Sequence, residues 1–210
     1  MANHVHFAVA FHQINDEARI KLKSMFERVR KDSPHDWFSD IFVEGDLTYE
    51  ETEKYEWTTA NIGPKWCYFE DRLADENDVY FTGESAWCAP TEGLQKLLGI
   101  LVEYDPKIIT SICYEDEGPN FFGVEIYDGE EMYDGSEYSY EETIDLVIKD
   151  SERLTEDSYN TETEEWIDEE AEDAFNEEMW ETISNVQYSL IGECEELIKG
   201  NQEEEILQDE

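Results

Sequence analysis

The sequence predicts an α+β protein: a ferredoxin-like βαββαβ sheet-and-helix domain with an acidic C-terminal helical extension. Three observations predict it. Over the first 130 residues, runs of β-forming residues and runs with apolar residues at 3- and 4-residue steps succeed one another as β-α-(insert)-β-β-α-β-β. Without the insert and the last strand, this is the split βαββαβ order. Beyond residue 130, acidic stretches keep apolar residues at helical spacing. The 210 residues are 40% hydrophobic and 13% aromatic, which is enough for a core and too much for a disordered acidic chain. The boundaries are 1–130 for the ferredoxin-like domain, 131–200 for the helical extension and 201–210 for a frayed acidic tail.

The first strand is HVHFAVAF (4–11), rich in β-formers. A helix follows, capped by Asn15 or Asp16, with Ala18, Leu22, Met25, Phe26 and Val29 on one face. Residues 33–60 form the insert, with a short strand around Asp40–Val43 and a short helix in TYEETEKYEWTTA. KWCYFE (65–70) and DVYFTGE (78–84) are an antiparallel pair. Pro90 or Thr91 opens the next helix, whose stripe is Leu94, Leu97, Leu98, Leu101 and Val102. KIITSICYE (107–115) and FFGVEIYD (121–128) are strands joined by the turn formers Gly118, Pro119 and Asn120. GEEMYDGSEYS is a Gly- and acid-rich turn region, and Ser139 with Glu142 has capping-box spacing at the start of a helix over 139–154. Last comes a long amphipathic helix, about 160–199. Its stripe is Ile167, Ala171, Ala174, Phe175, Met179, Ile183, Val186, Leu190, Cys194 and Leu197.

Charge excludes several functions. Fourteen Lys and Arg stand against 56 Asp and Glu, a net −42. Residues 128–210 hold 31 acids and three bases, whereas residues 1–32 hold four acids and six bases. Direct binding to nucleic acid or to an anionic membrane is excluded, since both need Lys and Arg. The N-terminus lacks the basic start of a signal peptide, and no apolar run approaches the ~20 residues of a membrane span. The expected location is the cytoplasm. Cys67, Cys88, Cys113 and Cys194 have no C-x-x-C spacing and are expected to be reduced core thiols.

No catalytic residues, metal ligands or cofactor are expected. His4 and His6 share a strand face, but no third ligand stands at a defined spacing, so they read as polar face residues. The oxygens of DGEEMYDGSE (128–137) do not fit a calcium-loop pattern and read as a solvated turn. No nucleotide, zinc-protease or serine-hydrolase motif is present. Trp66, Trp87, Phe121 and Phe122 could stack bases, but only Lys65 lies near them to grip phosphate, so sheet packing is the better account.

Three spaced elements carry a family resemblance: Gly63, Lys65 and Trp66; then Phe81, Thr82, Trp87 and Pro90; then Glu115, Gly118, Phe121, Phe122 and Gly123. Residues 1–130 resemble the YubB-like ferredoxin-like domain proteins of plasmids and bacteriophages. The pattern departs at Ala89, where a second Pro is common. The resemblance implies a ferredoxin-like fold and a phage or plasmid origin, so the cytoplasm would be the host's. It implies no activity.

Over 161–183, eleven of 23 residues are acidic and none is Lys or Arg. On a helix this stretch would span about 35 Å, one carboxylate per ~3 Å. One DNA strand places a phosphate about every 3.4 Å. The first expectation is therefore a non-enzymatic interaction protein whose acidic helix mimics DNA and binds a basic host protein: a nucleoid protein, a defence nuclease or a polymerase. The contact residues would be Glu162, Glu165, Asp168, Glu169, Glu172, Asp173, Glu177 and Glu181. The alternative is a small-ligand- or nucleotide-binding regulatory domain with a generic acidic surface, its pocket lined by Lys65, Trp66 and Trp87. The sequence sets no oligomeric state.

Overall fold

The computed structural model describes residues 3–32 and 36–208; within the last helix, the side chains of 193–195 and 197–208 are outside that description. Strand β1 (His4–Gln13) leads to helix α1 (Asp16–Phe26), capped by Asn15, whose Oδ1 accepts the Ala18 N–H at 2.9 Å. The insert holds a two-residue strand β2 (Asp36–Trp37), a 3-10 turn (Phe38–Phe42) and short helices α2 (Tyr49–Thr52) and α3 (Tyr55–Asn61). Strands β3 (Cys67–Ala74) and β4 (Val79–Ala86), helix α4 (Thr91–Leu101), then strands β5 (Ile109–Asp116), β6 (Phe121–Asp128) and β7 (Glu131–Ser139) complete the body. Helix α5 (Tyr140–Asp150), the small hairpin β8 (Tyr159–Asn160) and β9 (Glu165–Trp166), and helix α6 (Glu169–Gln208) follow.

Strands β1 to β7 form one sheet in the order β2-β3-β4-β1-β5-β6-β7, with antiparallel pairing throughout. The protein is thus α+β, built on a seven-stranded antiparallel sheet with a C-terminal helix. On one face of β1, Val5, Phe7, Val9 and Phe11 pack with Leu22, Met25 and Phe26 of α1 and Leu94, Leu97, Leu98 and Leu101 of α4. Each such side chain contributes about 1.5–3 kcal/mol by leaving water. Phe38 of the 3-10 turn sits among Phe7, Phe69 and Phe81, which explains why the turn is held there. Gly83 lies on this packed face, where an added Cβ would come within 2.0 Å of the Tyr68 carbonyl.

The other face is only partly covered. Leu190 and Ile191 of α6 pack on Ile109, Val124 and Ile126. The buried Gln187 amide donates to the Tyr114 and Gly123 carbonyls at 3.3 and 3.5 Å. Farther along, Ala171, Ala174, Phe175, Met179 and Ile183 of α6 join Ile144 and Val147 of α5, Phe122 of β6, and Leu154 in a second core. Helix α6 therefore lies against the body, as its apolar stripe requires. Cys194 and Leu197 of the expected stripe have side chains outside the described residues.

Four expectations need correction. The segment 160–168 is not helix. Asn160 Oδ1 accepts the Glu162 and Thr163 N–H groups, Glu164 takes a left-handed φ of 55°, and the hairpin β8–β9 forms. The helix begins only where Asp168 Oδ1 accepts the Ala171 N–H at 2.9 Å. The expected turn region at 129–139 is mostly strand β7, an exposed edge held by backbone pairing to β6 with no apolar alternation to announce it. Asp40–Val43 is the end of the 3-10 turn and the residue after it, because Asp40 is fully buried and caps the Arg30 N–H while pairing its guanidinium. Residues 201–208, expected to fray, continue α6, whose Gln and Glu residues are good helix formers; 209–210 lie outside the described residues. Ser139 and Glu142 do form the capping box of α5.

Candidate functional site

Among the described residues, two surfaces stand out for their geometry. The first is the acidic face. Glu162, Glu165, Asp168, Glu169, Glu172, Asp173, Glu177 and Glu181 are all exposed. They do not share one rod. Glu162 lies in the β8–β9 turn, Glu165 on β9, Asp168 caps α6, and the other five sit on α6. Within α6, Glu169, Asp173, Glu177 and Glu181 follow at four-residue steps, about 6 Å of rise each. This forms an acidic ladder opposite the buried stripe of Ala171, Phe175 and Met179. The hairpin anchors its start, since Trp166 packs on Phe175 with ring centroids 4.8 Å apart and on Tyr159 at 5.0 Å. Among the described residues, Arg153 meets the ladder: its Nη1 lies 2.5 Å from Glu177 and 3.7 Å from Glu178. Trp180, 43% exposed, stands beside the ladder. Sequence reasoning missed it, although its register off the apolar stripe was a readable signal.

The second surface is a cleft of about 690 Å³ where α6 leaves the sheet uncovered. Its floor is β1, with His6, Ala8, Ala10 and His12. Thr82 of β4, Ser111, Cys113 and Glu115 of β5, and Glu70 of β3 add to it, and Ser184, Gln187, Tyr188 and Ile191 of α6 form the wall. Three of the four histidines, His4, His6 and His12, lie on β1. The short side chains of Ala8 and Ala10 keep the floor low. His12 Nε2 and Ser111 Oγ are 2.7 Å apart. Burial pushes the Cys113 thiol up to about 12 and raises the Glu115 carboxyl, so this floor disfavours added negative charge.

At one end of the cleft, strand register aligns Tyr68, Glu84, His6 and Glu115 in a row across β3, β4, β1 and β5. Glu84 Oε2 meets His4 Nδ1 at 2.9 Å and accepts the Tyr68 hydroxyl; Glu84 Oε1 lies 3.4 Å from His6 Nδ1. Burial pushes the Glu84 carboxyl up. The Tyr68 and His4 hydrogen bonds and the histidine charges outweigh this and hold it below its ordinary value. The hydrogen bond to Glu84 raises His4. Register slips between Phe69 and Asp71, a bulge whose extra residue is Glu70. Ligand atoms of His6, Glu70 and Glu84 all lie within 4.8 Å of one another. The sequence places His4 and His6 on one strand face but reads them only as polar face residues; the carboxylates that meet them arrive from strands more than sixty residues away.

The residues expected to line a pocket, Lys65, Trp66 and Trp87, lie outside this cleft. Lys65 Nζ sits 5.5 Å over the Trp87 ring. Trp66 stacks on Tyr68 at 5.4 Å and meets His4 edge-on at 5.1 Å. Trp87 is half-exposed with a left-handed φ of 72°, an uncommon conformation for a bulky residue. They form an aromatic rim next to the His4–Glu84 pair. Of the cysteines expected in the core, Cys67 is buried, Cys113 partly so, and Cys88 exposed in the loop after Trp87.

No family model matches the chain, and no curated protein matches it. Among solved structures, protein api92 from Yersinia pseudotuberculosis, family model DUF1281, is similar at 16% identity with a TM-score of 0.32. The match covers 49% of this chain and 34% of that one, so the chain spans about a third of that protein.

Proposed function

We propose that this chain is a phage-type, non-enzymatic interaction protein: a ferredoxin-like body presenting an acidic surface that stands in for DNA and docks on a basic host protein. The inner strand order β3-β4-β1-β5, with α1 and α4 on one face, supports the ferredoxin-like reading. The observation that carries the function is the ladder of Glu169, Asp173, Glu177 and Glu181 on α6, exposed while the opposite side of the same helix is buried. Like charges at four-residue steps each cost a helix about 0.2–0.5 kcal/mol. A packed helix keeps them in fixed positions, where a basic groove would supply the missing countercharge. Trp180 offers the aromatic anchor that such interfaces favour. The partner class is a DNA-binding nucleoid protein, defence nuclease or polymerase.

The test is competition. Purified chain is titrated into a labelled DNA duplex bound to a basic DNA-binding protein of the host. Displacement that weakens as salt rises supports the reading. Equal displacement after Glu169, Asp173, Glu177 and Glu181 are all changed to Lys sinks it. A second reading, small-ligand or nucleotide binding, rests on the cleft between α6 and β1 rather than on Lys65, Trp66 and Trp87. A thermal-shift screen with nucleotides would show a ligand-dependent rise in melting temperature if that reading holds.

A further inference from the structure

We propose that His6, Glu70 and Glu84 form a binding site for one divalent transition-metal ion of the zinc class, with its open coordination positions facing the cleft. It is independent of the acidic face and does not rest on its function. One imidazole with two carboxylates is a donor set suited to Zn²⁺, Mn²⁺ or Co²⁺; an all-oxygen set would favour Ca²⁺ or Mg²⁺.

The geometry is close to what an ion needs. Around Zn²⁺ with bonds of about 2.0–2.2 Å, two ligand atoms on a tetrahedron lie roughly 3.4 Å apart. His6 Nδ1 and Glu84 Oε1 are already 3.4 Å apart, and all three ligand atoms lie within 4.8 Å of one another. Side-chain rotation at the exposed Glu70 closes the remainder. The three ligands come from adjacent strands of one sheet, so the backbone fixes their spacing. The β-bulge at Glu70 offsets β3 against β4 beside the other two ligands.

The surroundings are those of a held ligand. Glu84 divides its oxygens: Oε2 is occupied by His4 and Tyr68, while Oε1 is the one turned to His6. Outer partners of this kind orient a ligating carboxylate. His6 and Glu70 also line the 690 Å³ cleft, so a bound ion would present its free positions to a water or to a neutral donor group entering there.

The experiment is calorimetric titration of the tag-free, metal-free full chain with Zn²⁺ and with Mn²⁺ in about 0.5 M NaCl, where the short Debye length suppresses diffuse cation binding to the acidic surface. The result expected is saturation at one ion per chain. Affinity should fall about a hundredfold or more in His6→Gln and in Glu84→Gln, about tenfold in Tyr68→Phe, and not at all in Glu181→Gln. Circular dichroism checks that each variant folds. The visible spectrum of the Co²⁺-loaded chain is an independent readout that should change in His6→Gln. Unchanged Zn²⁺ affinity in His6→Gln, binding without a plateau, or binding lost in high salt would each overturn the site.

Discussion

Replacing Asp173 by Asn and Glu181 by Gln should stabilise the fold and, on the proposed function, weaken the displacement of duplex from a basic protein. The pairs Glu169–Asp173, Asp173–Glu177 and Glu177–Glu181 are each four residues apart on α6 and exposed. These two substitutions remove all three repulsions. They leave Glu177 free to keep Arg153, whose Nη1 lies 2.5 Å away. At 0.2–0.5 kcal/mol per pair the gain is about 0.6–1.5 kcal/mol, or roughly 1–6 °C in melting temperature for a chain of this length. The assay is urea and thermal unfolding at low salt and again at about 0.5 M NaCl, where screening should shrink the gain. The same variant should displace duplex from a basic DNA-binding protein less well than the parent. A melting temperature that is unchanged or lower at low salt would refute the reasoning, because it would mean that these carboxylates do not face one another on an ordered helix.

Other outcomes follow from the packing and from one half-buried acid. Phe175→Ala should cost about 3–5 kcal/mol, because the ring is buried between Tyr140 and Trp166, and hydrogen exchange should speed up over α6 more than over β1. Gly83→Ala should cost about 1–3 kcal/mol or more, since the new methyl would meet the Tyr68 carbonyl at 2.0 Å; a wild-type urea midpoint would contradict this. Burial raises the Glu125 carboxyl, with the Tyr127 hydroxyl bond opposing. The folded chain therefore holds a proton that the unfolded chain releases near pH ~4.3, and stability is lost as pH rises through that window. Glu125→Gln should raise the urea midpoint at pH 7 and give no gain below about pH 4.

Much of the body was legible because periodicity states burial directly. The stripe of Leu94, Leu97, Leu98 and Leu101 and the capping pair Ser139–Glu142 needed only local physics. Strand β7 was not legible, because Glu131–Ser139 buries almost nothing and is a strand only because β6 offers its edge. Residues 160–168 carried the right acids but the wrong conformation: Asn160 bends the chain and Asp168 caps the helix, and both signals compete with an apparently continuous stripe. The cleft was half legible. His4 and His6 share a face by simple alternation, but Glu84 and Glu70 reach them only through strand order, register and a bulge.

Carboxyl footprinting tests the central claim most directly. The chain is labelled with a carbodiimide and an amine, alone and in complex with a basic DNA-binding protein that it displaces from duplex. The account predicts protection of Glu169, Asp173, Glu177 and Glu181, with the exposed acids of α2 and β7 labelled as before. Unprotected ladder carboxylates, or protection confined to another surface, would contradict it.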